Sequence, residues 1–407
     1  MGQYSTSLSL QTSQNESVET EQEKLFSDCI NEGLSLSKTL KSRGMNYNDL
    51  SYQIADGRKW SGKPSASLQD FTKTAKGIPF VSFFTGCGGF DLGMEAIGFH
   101  HIAGFELNEL FCKTLRANRP DWKIFGPPSH SGDISKVQEC VDALEPLINE
   151  PFEGLFVGGP PCQPFSIAAN QRFSKSGDNF KRTGFGNEKK GNLLFDYMTI
   201  VLQFRPKVFV IENVPGLRDI DGGQQLNTAI ESARNAGYTV PEPKVLDASD
   251  FGIPQNRKRL IVIGYRTKQS WEWPEKHDNK IGCGSVLANP KINAPNNETR
   301  EHNAGSVKRY ARLDYGKRDQ LGRVDRLDPL LPSKTVIAGG LNGGGRSHLH
   351  PDVPRTLSVR ECARLQTFPD DYIFKGPTAR QFTQVGNAVP PVLAAELGTQ
   401  LVKLFSK

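Results

Sequence analysis

Ile78-Pro79-Phe80-Val81-Ser82-Phe83-Phe84-Thr85-Gly86-Cys87-Gly88-Gly89-Phe90-Asp91 is the stretch that decides the fold class. Ile78 to Phe84 is a short apolar run of the kind that makes a buried strand. It leads directly into a glycine turn, and a helical pattern follows through Leu92, Met94, Ala96 and Ile97. Strand, glycine turn and helix form the first unit of a nucleotide-binding α/β sheet. The glycines let backbone approach a ligand at the helix N-terminus. The pattern is GxGG, not the GxGxxG of a pyrophosphate cradle. Glu106 follows Gly86 by 20 residues, at the end of the apolar run His101 to Phe105. That is where an acid gripping ribose hydroxyls is expected. An adenosine-bearing cofactor without a required diphosphate fits both facts. Asp133, ahead of a helical stretch from Ile134 to Ile148, supplies a third sheet edge that can meet an adenine amino group.

Outward from this unit, Gly154 to Val157 predicts a second buried strand, followed by Gly158-Gly159-Pro160-Pro161-Cys162-Gln163-Pro164-Phe165-Ser166. A thiol just past a strand end sits where open α/β sheets place their ligands. Prolines stiffen the backbone on both sides of it. A rigid loop presenting one thiol suggests a nucleophile, because a thiolate attacks well once its pKa falls from about 8.5. A small buried cysteine in a turn is the competing reading. The polar segment Asn170 to Gly191 reads as a mobile lid, being too polar for core and too long for an ordinary connection. Leu193 to Gln203 predicts a helix, and Val208 to Ile211 a strand capped by Glu212-Asn213-Val214-Pro215. A carboxylate at the same edge as the thiol is the acid that a nucleophile on a heterocycle needs. Gln255-Asn256-Arg257-Lys258-Arg259-Leu260 precedes the strand Ile261 to Gly264, and arginines at this edge suit a phosphate or a carboxylate.

The remaining chain sets boundaries around that core. Residues 1 to 20 are Ser-, Gln-, Thr- and Glu-rich and read as disordered. From Glu21 to Ala55 apolar residues return at helical spacing, as in Leu25, Phe26, Ile30 and Leu34. Leu36 to Arg43 and Asn48 to Ala55 flank Gly44 in the manner of a helix-turn-helix, but a plain helical extension is the preferred reading. Trp60 to Gly77 reads as a linker. Tyr265 to Pro354 breaks the βα rhythm and predicts a second domain. It ends in the loop Gly339 to Arg346, while Leu330, Leu331, Val336 and Ile337 suggest something packed. Net charge is +6. Between Arg300 and Arg346 ten Lys or Arg face five acids, so the basic excess sits in that domain. Such clustering is the electrostatic footprint of a polyanion site. Hydrophobic content of 37% with 23% charged residues is ordinary for a soluble protein. No apolar run approaches the ~20 residues a bilayer requires. Met1 to Glu23 lacks the form of a secretory signal. Seven cysteines without a CxxC pair fit neither a disulfide framework nor a zinc module, so no metal is expected and a reducing cytoplasm is.

Taken together the ordered stretches resemble the DNA cytosine-5 methyltransferases. The blocks in family order are Phe83 to Gly89, Gly159 to Ser166, Glu212-Asn213-Val214, Gln255 to Arg259, Arg360 to Gln366 and Gly386 to Pro391. The resemblance spans residues 78 to about 265 and 355 to 405. It implies an α/β fold, a Rossmann-like S-adenosylmethionine-dependent methyltransferase sheet with a smaller, irregular target-recognition domain. The expected division is 1–77 N-terminal extension, 78–265 catalytic and cofactor-binding domain, 266–354 target-recognition domain, and 355–407 return to the catalytic domain with a C-terminal helix.

The same resemblance implies roles. Cys162 attacks C6 of a cytosine flipped out of duplex DNA, at a cost of a few kcal/mol for unstacking. Glu212 binds the N3/N4 edge, and Arg257 and Arg259 brace Glu212 and the base. Phe84, Cys87, Gly89, Glu106, Asp133, Pro161, Leu193, Asn387 and Ala388 line the S-adenosylmethionine site. Leu107 stands where family members often carry an aromatic against adenine. Ser166, Gln255, Thr335 and Arg346 are the expected DNA contacts. Expected partners are double-stranded DNA and a restriction endonuclease acting on the same site, with a monomeric enzyme in a bacterial cytoplasm. An RNA cytosine methyltransferase and a catalytically inactive DNA-binding regulator are the other readings. The basic insert of roughly 90 residues favours a duplex DNA reader, since sequence is read in a major groove that RNA helices hide.

Overall fold

Continuous apolar runs make strands buried on both faces, and the chain has several. Val208, Phe209, Val210 and Ile211 are each no more than 1% exposed. The computed structural model describes residues 21–54, 56–161, 193–338 and 348–406. Its main sheet has seven strands: β1 (Pro79–Phe83), β2 (His100–Phe105), β3 (Ile124–Phe125), β4 (Leu155–Gly158), β5 (Val208–Asn213), β6 (Lys244–Asp247) and β7 (Lys258–Tyr265). Their order is β3-β2-β1-β4-β5-β7-β6. β7 runs antiparallel to β5 and β6, and the other pairings are parallel. The chain leaves β1 toward β2 and returns to β4 on β1's other side. The crevice therefore opens at the carboxyl ends of β1 and β4, at the switch in strand order.

Alternation along the strands feeds two cores. Val81, Phe83, Phe156, Phe209 and Ile211 pack against a helix at Leu193–Phe204 and another at Gln224–Asn235. Phe80, Leu155, Val157, Val208 and Val210 pack on the opposite face against helices Gly89–Ile97 and Pro391–Leu401. Those last two helices are in backbone contact. A Cβ on Gly93 would lie 2.4 Å from the Pro391 carbonyl oxygen.

Several boundaries differ from the sequence expectations. β5 runs on to Asn213 because its antiparallel pairing continues to the Asn213–Leu260 rung, and β7 begins at Lys258, where it pairs with Asp247 of β6. Glu212 and Arg259 are consequently strand residues. The helix expected from Ile134 is confined to Val137–Leu144. Asp133 and Lys136 instead close a turn, with the Lys136 amide donating to the Asp133 carbonyl at 3.1 Å. The C-terminal helical stretch is broken by Pro390 and Pro391 into Thr378–Asn387 and Pro391–Leu401.

Residues 266–338 and 348–354 are mostly irregular. They hold a helix, which we label αR (Ala304–Ala311), and a small sheet of β8 (Arg318–Asp319), β9 (Val324–Arg326) and β10 (His348–Leu349), in the order β10-β9-β8. The N-terminal segment packs onto αR. Leu25, Phe26 and Cys29 of helix 21–31, with Leu36, Leu40, Tyr47 and Leu50, share one buried cluster with Ala304, Val307 and Ala311. The 60–77 stretch is coil around one 3-10 turn, Leu68–Asp70, and Ala75, 2% exposed, packs against the sheet. Among the described residues no helix is long and apolar enough to cross a membrane.

Candidate active site

The cofactor side is assembled by β1 and β2. At the end of β1 the chain turns through left-handed backbone at Phe84, φ 56°, and again at Gly86 and Gly88, φ 61° and 79°. Such a conformation is uncommon for a non-glycine residue, so Phe84 is held by its surroundings. Its half-buried ring faces Tyr197 at 6.5 Å. Glu106, 8% exposed, ends the same edge one residue past β2. The Gly86 amide donates to its Oε2 at 2.8 Å and the Asn108 amide to its Oε1 at 2.6 Å. Burial pushes the carboxyl up to about 7, although both backbone donors pull it down. Gly126 and Gly132 press against the Glu106 carbonyl, with ideal Cβ positions 2.3 and 2.1 Å from that oxygen. Leu107 beside it is 61% exposed. Asp133 is half-buried and accepts from the Ser135 amide and hydroxyl at 3.0 and 2.7 Å.

The other expected cofactor residues divide by exposure. Pro161 and Asn387 are exposed, Leu193 is half-buried, and Ala388 is 8% exposed. Gly89 lies under Val389, where a Cβ would meet the Val389 carbonyl oxygen at 2.2 Å. Cys87 is turned inward. Its thiol donates to the Gln384 carbonyl at 3.4 Å, its own carbonyl accepts from Tyr372 Oη at 2.7 Å, and burial pushes the thiol pKa up.

The catalytic side is assembled by β4, β5 and β7. Asn213 Nδ2 donates to the Pro160 carbonyl at 3.0 Å, which ties the Gly158-Gly159-Pro160-Pro161 segment to β5. A Cβ on Gly159 would stand 3.0 Å from Glu212 Oε2, so this carboxylate abuts the backbone that leads into Cys162. Because β7 is antiparallel, its first residues reach the carboxyl edge, and Arg259 Nε meets Glu212 Oε1 at 2.7 Å. Their side chains are only 12% and 14% exposed. Burial lowers the Arg259 guanidinium's pKa and the Glu212 charge opposes that. Cys162 and Ser166 lie outside the described residues, as do the Asn170 to Gly191 lid and Arg346.

Two expected site residues are held inside the protein. Arg257 makes no ion pair with Glu212, although the Glu212 charge favours its charged form against burial. It is 1% exposed and donates from Nη1 to the Val336 carbonyl at 3.0 Å, and from Nη2 to those of Gly386 and Ala388 at 2.8 Å each. Gln255 is fully buried, with its amide taken up inside the protein. Its Nε2 donates to the Leu365 carbonyl at 3.1 Å and to Gln366 Oε1 at 2.9 Å, while its Oε1 accepts from the Val336 amide at 2.9 Å. Thr335 is half-buried, with its hydroxyl on the Asn256 carbonyl at 2.7 Å. The tether role of Asn213 and the Tyr372 contact were not foreseen. The first was signalled by Asn213 following Glu212 directly; the second had no local signal.

A seven-stranded sheet with one antiparallel strand, a buried acid past β2, and a Glu–Arg pair beside a proline-stiffened loop define a Rossmann-like methyltransferase. The C-5 cytosine-specific DNA methylase model matches residues 78–403, and the chain belongs to that family as a DNA (cytosine-5-)-methyltransferase. It is similar to the Type II methyltransferase M1.HphI of Haemophilus parahaemolyticus, 32% identical over 80% of this chain and 87% of that one. It is also similar to Type II methyltransferase M.Eco47II of Escherichia coli, at 29% identity over 83% and 82%. The fold is shared with the S. pombe Dnmt2 methyltransferase, with TM-score 0.55 and 16% identity over 80% of this chain and 98% of that one.

Proposed function

We propose that the chain methylates C5 of a cytosine flipped out of a specific duplex sequence, with Cys162 as nucleophile and S-adenosylmethionine as methyl donor. The observation that carries this reading is the Glu212–Arg259 pair set against Gly159, three residues before Cys162. The ends of β1 and β2 suit the cofactor. Glu106 offers a buried carboxylate whose two backbone donors leave lone pairs for ribose hydroxyls, and Leu107 offers open apolar surface for adenine. When bound, that cofactor supplies an electrophilic methyl group.

The chain's own residues supply the rest. The Cys162 thiolate forms a bond to C6, and the displaced electron pair makes C5 nucleophilic while charge grows at N3. Glu212, held by Arg259, meets the N3/N4 edge and offsets that charge. C5 takes the methyl group, loses its proton to a base, and the C5–C6 double bond re-forms as the Cys162–C6 bond breaks. The names of the Type II relatives favour the modification half of a restriction–modification pair, whose endonuclease would act on the same site; the enzyme is read as a monomer. DNA from cells expressing the protein would then resist that endonuclease.

The deciding experiment uses duplex DNA carrying 5-fluorocytosine, because fluorine at C5 blocks the final elimination. A denaturant-resistant protein–DNA adduct formed with the cofactor and absent in Cys162→Ala supports nucleophile, base and cofactor together. No adduct and no methyl transfer to mixed-sequence duplexes overturns the reading, and activity on tRNA alone would move the substrate to RNA.

A further inference from the structure

Leu321, 78% exposed, is the most exposed large apolar side chain among the described residues. A single surface leucine is ordinary; its supports, charge and position set this one apart. It lies in the turn between β8 and β9, and that turn is braced from beneath. Asp319, 6% exposed, accepts from the Gly322 amide at 2.6 Å and from Arg309 Nε at 3.1 Å. A Cβ on Gly322 would come within 2.8 Å of Tyr310 Oη, so the turn's backbone rests on αR. Leu321 also rims a cleft of about 450 Å³ between this turn and the start of αR, lined by Arg300, Asn303 and Arg309.

The hairpin's charge is one-sided. Its two acids are buried and answered: Asp319 by Arg309, and Asp325 by Arg318 Nη1 and Lys334 Nζ at 3.0 Å each. Arg318 and Arg323 remain exposed on either side of Leu321. The base of the hairpin is fastened beside the catalytic edge. Lys334 adjoins Thr335, whose hydroxyl bonds the Asn256 carbonyl next to Arg257. His348 of β10 pairs in register with Asp325, and its Nε2 lies 3.2 Å from the Thr335 carbonyl oxygen. With Arg318 opposite Asp325 and Asp319 opposite Val324, the turn projects beyond that fastening as a short arm.

We propose that the β8–β9 hairpin is an arm that reads duplex DNA beside the flipped cytosine, with Leu321 as a specificity-determining residue against the neighbouring bases. Arg318 and Arg323 face the flanking phosphates. An apolar side chain suits a thymine methyl or a partly unstacked base step, and cations on both sides suit the backbone that frames it. This rests on the reading of the chain as a duplex DNA methyltransferase.

The test compares the full chain with its Leu321→Ala and Arg323→Ala variants. KM for duplex DNA, kcat, cofactor affinity and the methylated sequences in a mixed-sequence pool are measured for each. Leu321→Ala is expected to raise the DNA KM about tenfold, the scale of one lost apolar contact, and to relax preference at one base position. Its kcat, cofactor affinity and melting temperature should match the parent. Arg323→Ala should weaken binding alike across sequences and make its salt dependence shallower. Parent-like DNA KM and sequence preference in Leu321→Ala overturn the hairpin proposal alone. A parent that methylates no duplex overturns the function reading and this proposal with it.

Discussion

Replacing Arg259 by alanine isolates the ion pair at the catalytic edge. Arg259 Nε and Glu212 Oε1 are 2.7 Å apart, with side chains 12% and 14% exposed. Removing one partner of a buried pair costs about 3–5 kcal/mol, because the other charge is left desolvated. Some water reaches this pair, which puts the expected cost near the lower end, about 3 kcal/mol. If Glu212 must keep its place to offset charge at N3, that cost falls on kcat/KM as a loss of roughly 150-fold. Arg259→Lys keeps the charge but not the planar guanidinium, and a loss of about tenfold is expected. Methyl transfer from tritiated S-adenosylmethionine to a duplex substrate, under single-turnover conditions, measures both. Arg257→Ala is the contrast: it removes donors to three backbone carbonyls and should lower the melting temperature as well as activity. The reasoning fails if Arg259→Ala stays within threefold of the parent, or if its loss appears only in the KM for cofactor.

Two further predictions follow from the cofactor side. Burial raises the Glu106 carboxyl to about 7, so in the apo protein its ionised form is reached only as pH rises through that value. The folded state then holds a proton that the unfolded chain has released between its ordinary range and about 7, so Glu106 makes apo stability fall as pH rises across that window. Cofactor affinity should rise over the same window if the carboxylate accepts from ribose, and Glu106→Gln should flatten both trends in calorimetric titration and thermal melts from pH 5.5 to 8. Gly93→Ala would set a Cβ 2.4 Å from the Pro391 carbonyl oxygen, between two backbones that cannot yield like a side chain. A destabilisation of about 1–3 kcal/mol is expected, read as a lower melting temperature, and an unchanged melt would refute the contact.

The sheet was legible because strands buried on both faces must be written as apolar runs, and Val208 to Ile211 can be little else. Glu106 was legible because strand length fixes how far the second strand's end stands from the glycine turn. Which arginine meets Glu212 was not. Arg259 lies inside β7, where pairing with β5 aims it, whereas Arg257 precedes the strand and turns into the protein to meet carbonyls at Val336, Gly386 and Ala388. Those partners are 79 to 131 residues away in sequence. The burial of Gln255 was not legible for a related reason, since a polar residue among basic ones resembles surface until its amide is seen filled by Leu365, Gln366 and Val336. Likewise, the helical spacing of Leu25, Phe26, Ile30 and Leu34 announced an apolar face, but Ile30 and Leu34 are each 47% exposed, and the cover of Leu25 and Phe26 lies near residue 304, out of reach of any local pattern.

That cover makes the N-terminal segment part of the basic region's own core. Arg326 of β9 is 1% exposed and lies between the rings of Tyr52 and Tyr315, at 3.5 and 3.8 Å from their centroids. One Nη1 donates to the Ile54 carbonyl at 2.5 Å. Arg355, fully buried, donates from Nε to Asn48 Oδ1 at 2.6 Å while its Nη atoms meet Glu361. Two guanidinium groups inside the protein are costly to bury unless such acceptors are in place. Part of that compensation comes from residues 48, 52 and 54, upstream of the 78–403 family match. β9 carries Asp325, which Lys334 and Arg318 hold, and Lys334 adjoins the Thr335–Asn256 contact beside Arg257. A segment that lies outside the family's own span therefore supports the strand from which the basic region is fastened to the catalytic edge.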